Sequence, residues 1–249
     1  MGNIIEVKKL SKTYKSGLFR KRITHALKEI SISVKKGELF GILGPNGAGK
    51  TTFLNILMGL IIPDSGEVEI MGNKIEKDFD INLKRRMNMC SGNPNFPWSL
   101  SVRETIKFYS MLYGVSAEEH KKREAGLVSS LELAKNLNTR YDELSTGNKQ
   151  RLSLAKSLIN DPEILLLDEP TIGLDPDISI KIRTMIKKIH KEQGKTILLT
   201  THYMKEAEEM CERIAFIKEG EILALGTKDE LLKMTGAKDM EEAFIALAN

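Results

Sequence analysis

The stretch at residues 44–51 reads GPNGAGKT, which has the spacing of a phosphate-binding loop. An apolar run precedes it and a helical pattern follows, so the loop is predicted to join a strand to a helix. Its glycines let backbone N–H groups turn inward around phosphate oxygens. Lys50 would reach the β- and γ-phosphates, and the Thr51 hydroxyl would ligate Mg²⁺. The alternative is a glycine-rich turn with a solvent-exposed lysine. The predicted nucleotide-binding residues are Gly44, Pro45, Asn46, Gly47, Ala48, Gly49, Lys50, Thr51 and Thr52.

Two adjacent acids, Asp168 and Glu169, end the apolar run ILLLDE. Open α/β sheets bind ligands at the carboxyl ends of their strands. Two carboxylates inside a sheet are costly unless a cation or a catalytic role accounts for them. We predict that Asp168 holds Mg²⁺ and that Glu169 is the general base that polarises the water attacking the γ-phosphate. An acid that merely caps the next turn would explain one carboxylate but not both.

The composition is that of an ordinary globular protein, with 249 residues, 41% apolar and 29% charged. A net charge of +4 is too mild to indicate nucleic acid as a partner, and none is expected. No stretch approaches the length of a membrane-spanning helix, and the N-terminus lacks the apolar core of a signal peptide. We therefore expect a cytoplasmic protein. Cys90 and Cys211 are expected to be reduced thiols packed in the interior.

The hydrophobic pattern changes twice along the chain. Strand patterns come first, helical periodicity follows from about residue 93 to 159, and β/α alternation then returns. This order indicates a helical lobe inserted into an α/β core. The predicted strands are 4–10, 26–34, 38–43, 67–71, 164–167, 196–200 and 214–217, and the predicted helices are 102–112, 117–133, 152–158, 178–189 and 204–210.

Two further motifs follow the phosphate loop, LSTGNKQR at residues 144–151 and DEPTIGLD at residues 168–175. In this order, the three motifs resemble those of the ATP-binding subunits of the ABC transporter superfamily, from about residue 4 to 226. The resemblance implies an α/β fold with a P-loop NTPase (RecA-like) core, an N-terminal antiparallel β subdomain and an inserted α-helical subdomain. One ATPase domain would span 1–249, with the core at 1–92 and 160–225, the helical subdomain at 93–159 and a C-terminal helical extension at 226–249.

The resemblance also implies roles that spacing alone does not give. Ser145 and Gly147 would contact the γ-phosphate of ATP bound to the opposite subunit, although Ser145 could simply cap a helix. Asp175 falls in the loop that links the two sites of a dimer. His202 matches a histidine that contacts the γ-phosphate, and Tyr14 matches the aromatic that stacks on adenine.

The chain departs from the family at the position of a glutamine near the γ-phosphate, which here is Gly92. Ser91, Asn93 or Asn95 could supply an acceptor instead, or the contact could be weakened or water-mediated. We expect that restoring glutamine at position 92 leaves turnover similar or higher. The signature motif also departs, with Thr146 for glycine and Asn148 for glutamine.

In the family that the chain resembles, each site needs a phosphate loop from one subunit and a signature motif from another, and this chain holds one of each. The resemblance therefore implies a dimer, which is expected to be a homodimer. The resemblance implies ATP and Mg²⁺ as ligands and a separate integral membrane subunit, which would hold the chain at the inner face of the cell membrane. The form of the motifs resembles exporter-type subunits. The junction NPNFPW holds Phe96 and Trp98, which are either core residues or a partner surface. The alternatives are a non-transport ATPase of this family or a regulatory subunit with weak hydrolysis.

Overall fold

The computed structural model describes residues 2–16, 22–75 and 80–248. By their contacts, the residues form two compact units, Met1–Asp80 with Thr196–Asn249, and Ile81–Lys195. These units do not coincide with the predicted division into core, helical insert and C-terminal extension, and that division stays a proposal.

The strands are β1 Asn3–Ser16, β2 Arg22–Lys35, β3 Leu39–Leu43, β4 Ser65–Ile70, β5 Asn73–Lys74, β6 Met87–Ser91, β7 Ile164–Asp168, β8 Thr196–Thr201, β9 Arg213–Lys218 and β10 Glu221–Gly226. The α-helices are α1 Lys50–Leu57, α2 Ile81–Arg85, α3 Val102–Leu112, α4 Ala117–Ser130, α5 Thr146–Leu158, α6 Pro176–Gln193, α7 Met204–Met210, α8 Lys228–Thr235 and α9 Met240–Ala248.

The first unit contains an antiparallel sheet in the order β2-β1-β4-β5. Strand β1 pairs with β2 in a register that places Val7 opposite Ile32, both buried. The alternation of apolar and polar residues thus buries one face, as a period-2 pattern predicts. Strand β1 runs well beyond the predicted 4–10, because irregularities in the pairing, with Lys9 and Glu29 at positive φ, interrupt the alternation without ending the strand.

A second group of strands in the same unit has the order β10-β9-β3-β8. Strand β3 is buried along its whole length and is parallel to β8 and β9. A continuous apolar run without alternation is typical of a strand covered on both faces. The C-terminal helices α8 and α9 complete the core, where Met240 and Ala243 pack with Phe216. The residues from Lys228 onward thus form two helices that pack on the strands of this unit.

Strand β10 was not predicted, although its turn carries a signal. Glu219 and Gly220 both have positive φ, 48° and 81°, as the two central residues of a type I′ hairpin turn require. The turn also reaches other parts of the unit. The Gly220 N–H donates to Ala48 O at 3.1 Å, and Gly220 O accepts from the Lys28 N–H at 2.8 Å. The hairpin therefore supports the loop that contains Ala48.

The second unit contains the parallel pair β6 and β7 and the helices α2 to α6. Helix α5 packs on β6, and α3 packs on α5. Helices α3 and α4 each begin with a capping box, Ser101 with Glu104 and Ser116 with Glu119. This reciprocal capping explains why both helices begin where the apolar periodicity begins. Across the residues that the structure describes, no helix is both long enough and apolar enough to cross a bilayer.

A buried ion pair in the first unit gives a test of stability. Glu38 is buried and accepts from Arg213 Nη1 at 3.2 Å and from the Lys35 N–H at 2.7 Å. We predict that Glu38→Ala lowers the free energy of unfolding by about 3 kcal/mol, because it leaves the mostly buried guanidinium without this carboxylate. Urea denaturation measures the change.

Glu67→Ala is the matched control for this prediction, because Glu67 forms an exposed pair with Lys74 at 3.9 Å. Its removal is expected to change stability by less than about 0.5 kcal/mol. Equal effects of the two substitutions would contradict the structural role of Glu38.

Candidate functional site

The phosphate loop of the first unit joins β3 to α1 and is held at both ends. The Gly44 N–H donates to Thr201 O at 3.2 Å, at the end of β8. Gly49, the residue before α1, has φ 104°, and a Cβ on it would lie 2.2 Å from Ala26 O. Only glycine fits this position, because both the backbone conformation and the close approach to β2 exclude a side chain. The loop is thus fixed against two strands.

Lys50 lies inside the phosphate loop. Its side chain is 4% exposed, and Nζ donates to Gly44 O at 2.7 Å and to Pro45 O at 3.0 Å. The ammonium is therefore held against the backbone of the loop itself, at the start of α1. A polyphosphate bound in the loop would meet a positive charge and backbone donors together. The alternative of a solvent-exposed lysine is excluded.

Two other predicted residues lie close to this loop in the same unit. Tyr14 is 39% exposed, and its hydroxyl lies 3.5 Å from Thr52 Oγ1, in the first turn of α1. His202 directly follows Thr201, whose carbonyl anchors Gly44, and its ring centroid is 4.0 Å from that of Tyr203. The first unit therefore brings together the phosphate loop, a half-exposed aromatic and a histidine at a strand end.

The acidic pair lies in the second unit at the end of β7. Asp168 is the last residue of the strand and is 9% exposed. Glu169 follows with φ 49°, a left-handed conformation that is unfavourable for a residue with a side chain. Backbone strain of this kind is concentrated at functional sites. The chain turns sharply at the residue predicted to be the general base.

Gly92 packs directly against this turn. Its N–H donates to Asp168 O at 2.7 Å, and a Cβ on it would lie 2.1 Å from Glu169 O. Side-chain atoms never approach a backbone oxygen so closely, so no larger residue fits without a shift of the turn. This contact argues against the expectation that glutamine at position 92 leaves turnover similar or higher, because a side chain there must displace the turn that carries Glu169. Sequence spacing could not reveal this contact, since it joins two strands distant in the chain.

The signature turn, residues 144–148, begins α5. Ser145 is the N-cap, and its Oγ accepts from the Asn148 N–H at 3.4 Å. Gly147 lies in the first turn of the helix, which contains no acidic residue. The Asn148 side chain donates to Asn136 Oδ1 at 3.2 Å. The capping role of Ser145 is thus observed, and the helix dipole there is not offset by a carboxylate.

Asp175 precedes α6 as its N-cap and is exposed, with Pro176 in the first turn. The cysteine prediction is confirmed for Cys90, which is buried with its Sγ 3.2 Å from Ser153 Oγ. Burial raises the pKa of the Cys90 thiol to about 11, so the thiolate is suppressed at neutral pH. Cys211 carries a reduced thiol and is partly buried.

Phe96 and Trp98, in the junction after Gly92, were predicted to be either core residues or a partner surface, and the structure places them differently. Phe96 is buried and makes an edge-to-face contact with Tyr141, with ring centroids 5.4 Å apart. Trp98 is 66% exposed, and the Arg140 guanidinium lies 5.3 Å from its ring centroid. Phe96 is thus a core residue, whereas Trp98 presents an indole face to solvent.

The predicted magnesium ligands are both oxygen donors, the hydroxyl of Thr51 and the carboxylate of Asp168. Hard cations such as Mg²⁺ prefer this donor set and retain several waters. Among the described residues, no three or more His, Cys, Asp or Glu side chains cluster as a metal site. A magnesium ion held by either side chain would depend on phosphate oxygens and water for its remaining ligands, which fits a hydroxyl and a carboxylate as donors.

The chain is similar to known proteins over most of its length. Residues 27–172 match the family model described as ABC transporter. The Nod factor export ATP-binding protein I of Burkholderia orbicola is 38% identical over 86% of this chain and 70% of that protein. The linearmycin resistance ATP-binding protein LnrL of Bacillus subtilis is 37% identical over 84% of this chain and 67% of that protein.

Solved structures show the same likeness. A dimeric ATP-binding cassette in a post-hydrolysis state, bound to ADP and Pi, has a TM-score of 0.78 and 34% identity, over 90% of this chain and 98% of the other. An ATP-binding subunit of an ABC transporter has a TM-score of 0.84 and 27% identity, over 99% of this chain and all of the other. The predicted P-loop NTPase fold is confirmed. The chain therefore belongs to the ABC transporter family, as an ATP-binding subunit with ATPase activity.

Proposed function

We propose that this ATPase powers the export of a substrate through a separate transmembrane partner. The observation that carries this proposal is the likeness, over 84% or more of the chain, to subunits named for Nod factor export and for linearmycin resistance. Both names describe the removal of a compound from the cell or protection against one. The chain would lie in the cytoplasm, at the inner face of the membrane that holds its partner.

We assign the residues of the first unit to nucleotide binding. Tyr14 would stack on adenine, since its ring is half exposed beside the first turn of α1. Lys50 and the loop N–H groups would bind the phosphates, and His202 would contact the γ-phosphate. The geometry supports these roles, because Lys50 is already held at the centre of the loop.

Asp168 and Glu169, in the second unit, would take part in the hydrolysis of ATP. Glu169 would accept the proton of the attacking water, and its half-buried carboxylate, held by the turn against Gly92, would be fixed for that task. Thr51 and Asp168 would hold Mg²⁺, which when bound neutralises phosphate charge. Asp168 is suited to this role because it is buried at the end of a rigid strand.

A second copy of the chain would complete each site. Ser145 and Gly147 would bind the γ-phosphate of ATP held by the partner, with a helix N-terminus free of acids behind them. Asp175, exposed at the start of α6, would lie between the two sites. A similar cassette is dimeric in the state bound to ADP and Pi. ATP would close the dimer, and product release would open it.

The exposed Trp98 supports a docking surface for the membrane subunit. Phe108, Met111 and Leu112 at the end of α3 are exposed as well. Apolar side chains on a helix face are typical of surfaces that receive a partner helix. A regulatory subunit with weak hydrolysis is not favoured, because Gly92, the residue that suggested it, is explained by packing against Glu169.

The general base is tested by Glu169→Gln. We predict that ATP binding persists, that turnover falls at least about a hundredfold and that an ATP-bound dimer accumulates, because a carboxamide cannot accept the proton of water. Phosphate release and size-exclusion chromatography measure these effects. The control is Glu192→Gln, an exposed acid on α6 that is expected to leave turnover unchanged. Normal hydrolysis by Glu169→Gln would remove Glu169 from this role.

The dimer is tested with mixed pairs in which one chain carries Glu169→Gln, so that only the other chain's site turns over. Ser145→Arg placed on the Glu169→Gln chain should lower turnover at least about a hundredfold, since that chain supplies the signature turn. Placed on the hydrolysing chain, it should leave turnover intact. Ser129→Arg, an exposed position on α4, is the control. Loss of turnover only in the second arrangement would refute completion of the site by the partner.

The packing of Gly92 predicts that both Gly92→Ala and Gly92→Gln lower ATP turnover about tenfold or more. A side chain at this position must displace the turn that carries Glu169, and small displacements of a general base are costly. Gly126→Ala is the control, since a Cβ at Gly126 on α4 meets no atom within 4 Å. Phosphate release and thermal denaturation together measure the effect. Unchanged turnover in Gly92→Ala would mean that the turn does not position the base.

A further inference from the structure

Two segments of the second unit are hydrogen-bonded to each other just outside the motifs. The first follows Gly92 and spans residues 94–103, and the second precedes the signature turn and spans residues 137–142. We call this pair the clasp. Its backbone hydrogen bonds run from the Val102 N–H to Thr139 O (3.1 Å), from the Arg103 N–H to Leu137 O (3.0 Å), from the Tyr141 N–H to Leu100 O (2.9 Å) and from the Asp142 N–H to Trp98 O (3.4 Å).

Tyr141 is the side chain that locks the clasp. It is 9% exposed, and its hydroxyl donates to the carbonyl of Pro94. Its ring packs edge-to-face on Phe96, with 5.4 Å between centroids, and Phe96 packs in the same manner on Tyr109 at 5.5 Å. Burial raises the pKa of the Tyr141 phenol, so the hydroxyl remains protonated and able to donate.

The two ends of the clasp lie beside the two chemical motifs of the unit. Pro94 is two residues beyond Gly92, whose backbone contacts the carbonyls of Asp168 and Glu169. On the other side, Tyr141 O accepts from the Leu144 N–H at 3.3 Å, immediately before the N-cap Ser145. A short series of direct contacts therefore connects the turn of the general base to the signature turn of the same chain.

We propose that Tyr141 is a positioning residue that holds the signature turn in register with the loop behind Glu169. The hydroxyl fixes the distance between the two segments, and the ring fills the space between them. This inference rests on the proposed function in one respect, namely that the signature turn serves the partner's ATP. A chain's own nucleotide site would then influence its partner's site through Tyr141.

Tyr141→Phe separates this role from packing, because it removes the hydroxyl and keeps the ring. The matched control is Tyr113→Phe, which removes a hydroxyl that lies 3.4 Å from Asn88 Oδ1 in the same unit but outside the clasp. Thermal denaturation of the two full-length variants should give similar midpoints. Binding of a fluorescent ATP analogue to either variant should match that of the unsubstituted chain, since the phosphate loop is untouched.

The decisive experiment uses mixed pairs in which one chain carries Glu169→Gln and the other hydrolyses ATP. Tyr141→Phe on the Glu169→Gln chain, which supplies the signature turn, should lower the maximal rate of phosphate release about fivefold, the worth of one hydrogen bond. On the hydrolysing chain it should have little effect. Tyr113→Phe should have little effect in either arrangement. Ser145→Arg in the same two arrangements shows which chain's signature turn serves the active site.

The comparison of the two substitutions decides the proposal. If Tyr141→Phe lowers turnover only from the chain on which Ser145→Arg abolishes it, Tyr141 positions the signature turn. The proposal is overturned if Tyr141→Phe lowers turnover equally from both chains or from neither. It is also overturned if Tyr141→Phe lowers turnover only from the chain on which Ser145→Arg has no effect. If Ser145→Arg lowers turnover from the hydrolysing chain instead, the proposed sharing of the site between two chains is wrong. The role of Tyr141 is still decided by whether Tyr141→Phe lowers turnover from the same chain as Ser145→Arg.

Discussion

The close approach of Gly92 to the end of β7 is the constraint on which the catalytic role proposed for Glu169 depends. Its N–H donates to Asp168 O, and its Cα faces the carbonyl of Glu169 with no room for a side chain. The contact holds the left-handed turn at Glu169, a conformation that a glutamate does not adopt without support. Rigid backing of this kind is how a general base is kept in one orientation before its substrate arrives.

Each of the two units holds a different set of the predicted site residues in place. In the first unit, the phosphate loop is fixed by β8 at Gly44 and by β2 at Gly49, so that Lys50 is held among carbonyls. In the second unit, the parallel strands β6 and β7 end beside the acidic pair. Phe96 packs on Tyr109 and on Tyr141, and Tyr141 is hydrogen-bonded to the residue before Ser145. In the proposed function, binding of the chain's own nucleotide and contact with the partner's nucleotide would thus depend on different parts of one chain.

Local patterns predicted much of this. Apolar runs identified β3, β7 and β8, and helical periodicity predicted the helix 102–112 with the bounds it has. The capping box of Ser101 and Glu104 explains why the helix begins there. The phosphate loop and the acidic pair followed from spacing and chemistry. What could not be predicted depends on contacts between distant segments. The hydrophobic pattern gives no sign of the packing of Gly92 on Glu169 or of the hydrogen bond from Tyr141 to Pro94. Gly92 stood out only as a departure from the family, and Tyr141 did not stand out at all.

The turn at Gly220 has a consequence for how the nucleotide site is assembled. Gly220 donates to Ala48 within the phosphate loop, and its carbonyl accepts from Lys28 on the strand behind that loop. The family model ends at residue 172, well before this turn. During synthesis, the phosphate loop therefore leaves the ribosome well before the turn that supports it. A fragment limited to residues 27–172 would contain the phosphate loop but lack the hydrogen bond from Gly220 to Ala48 that supports it.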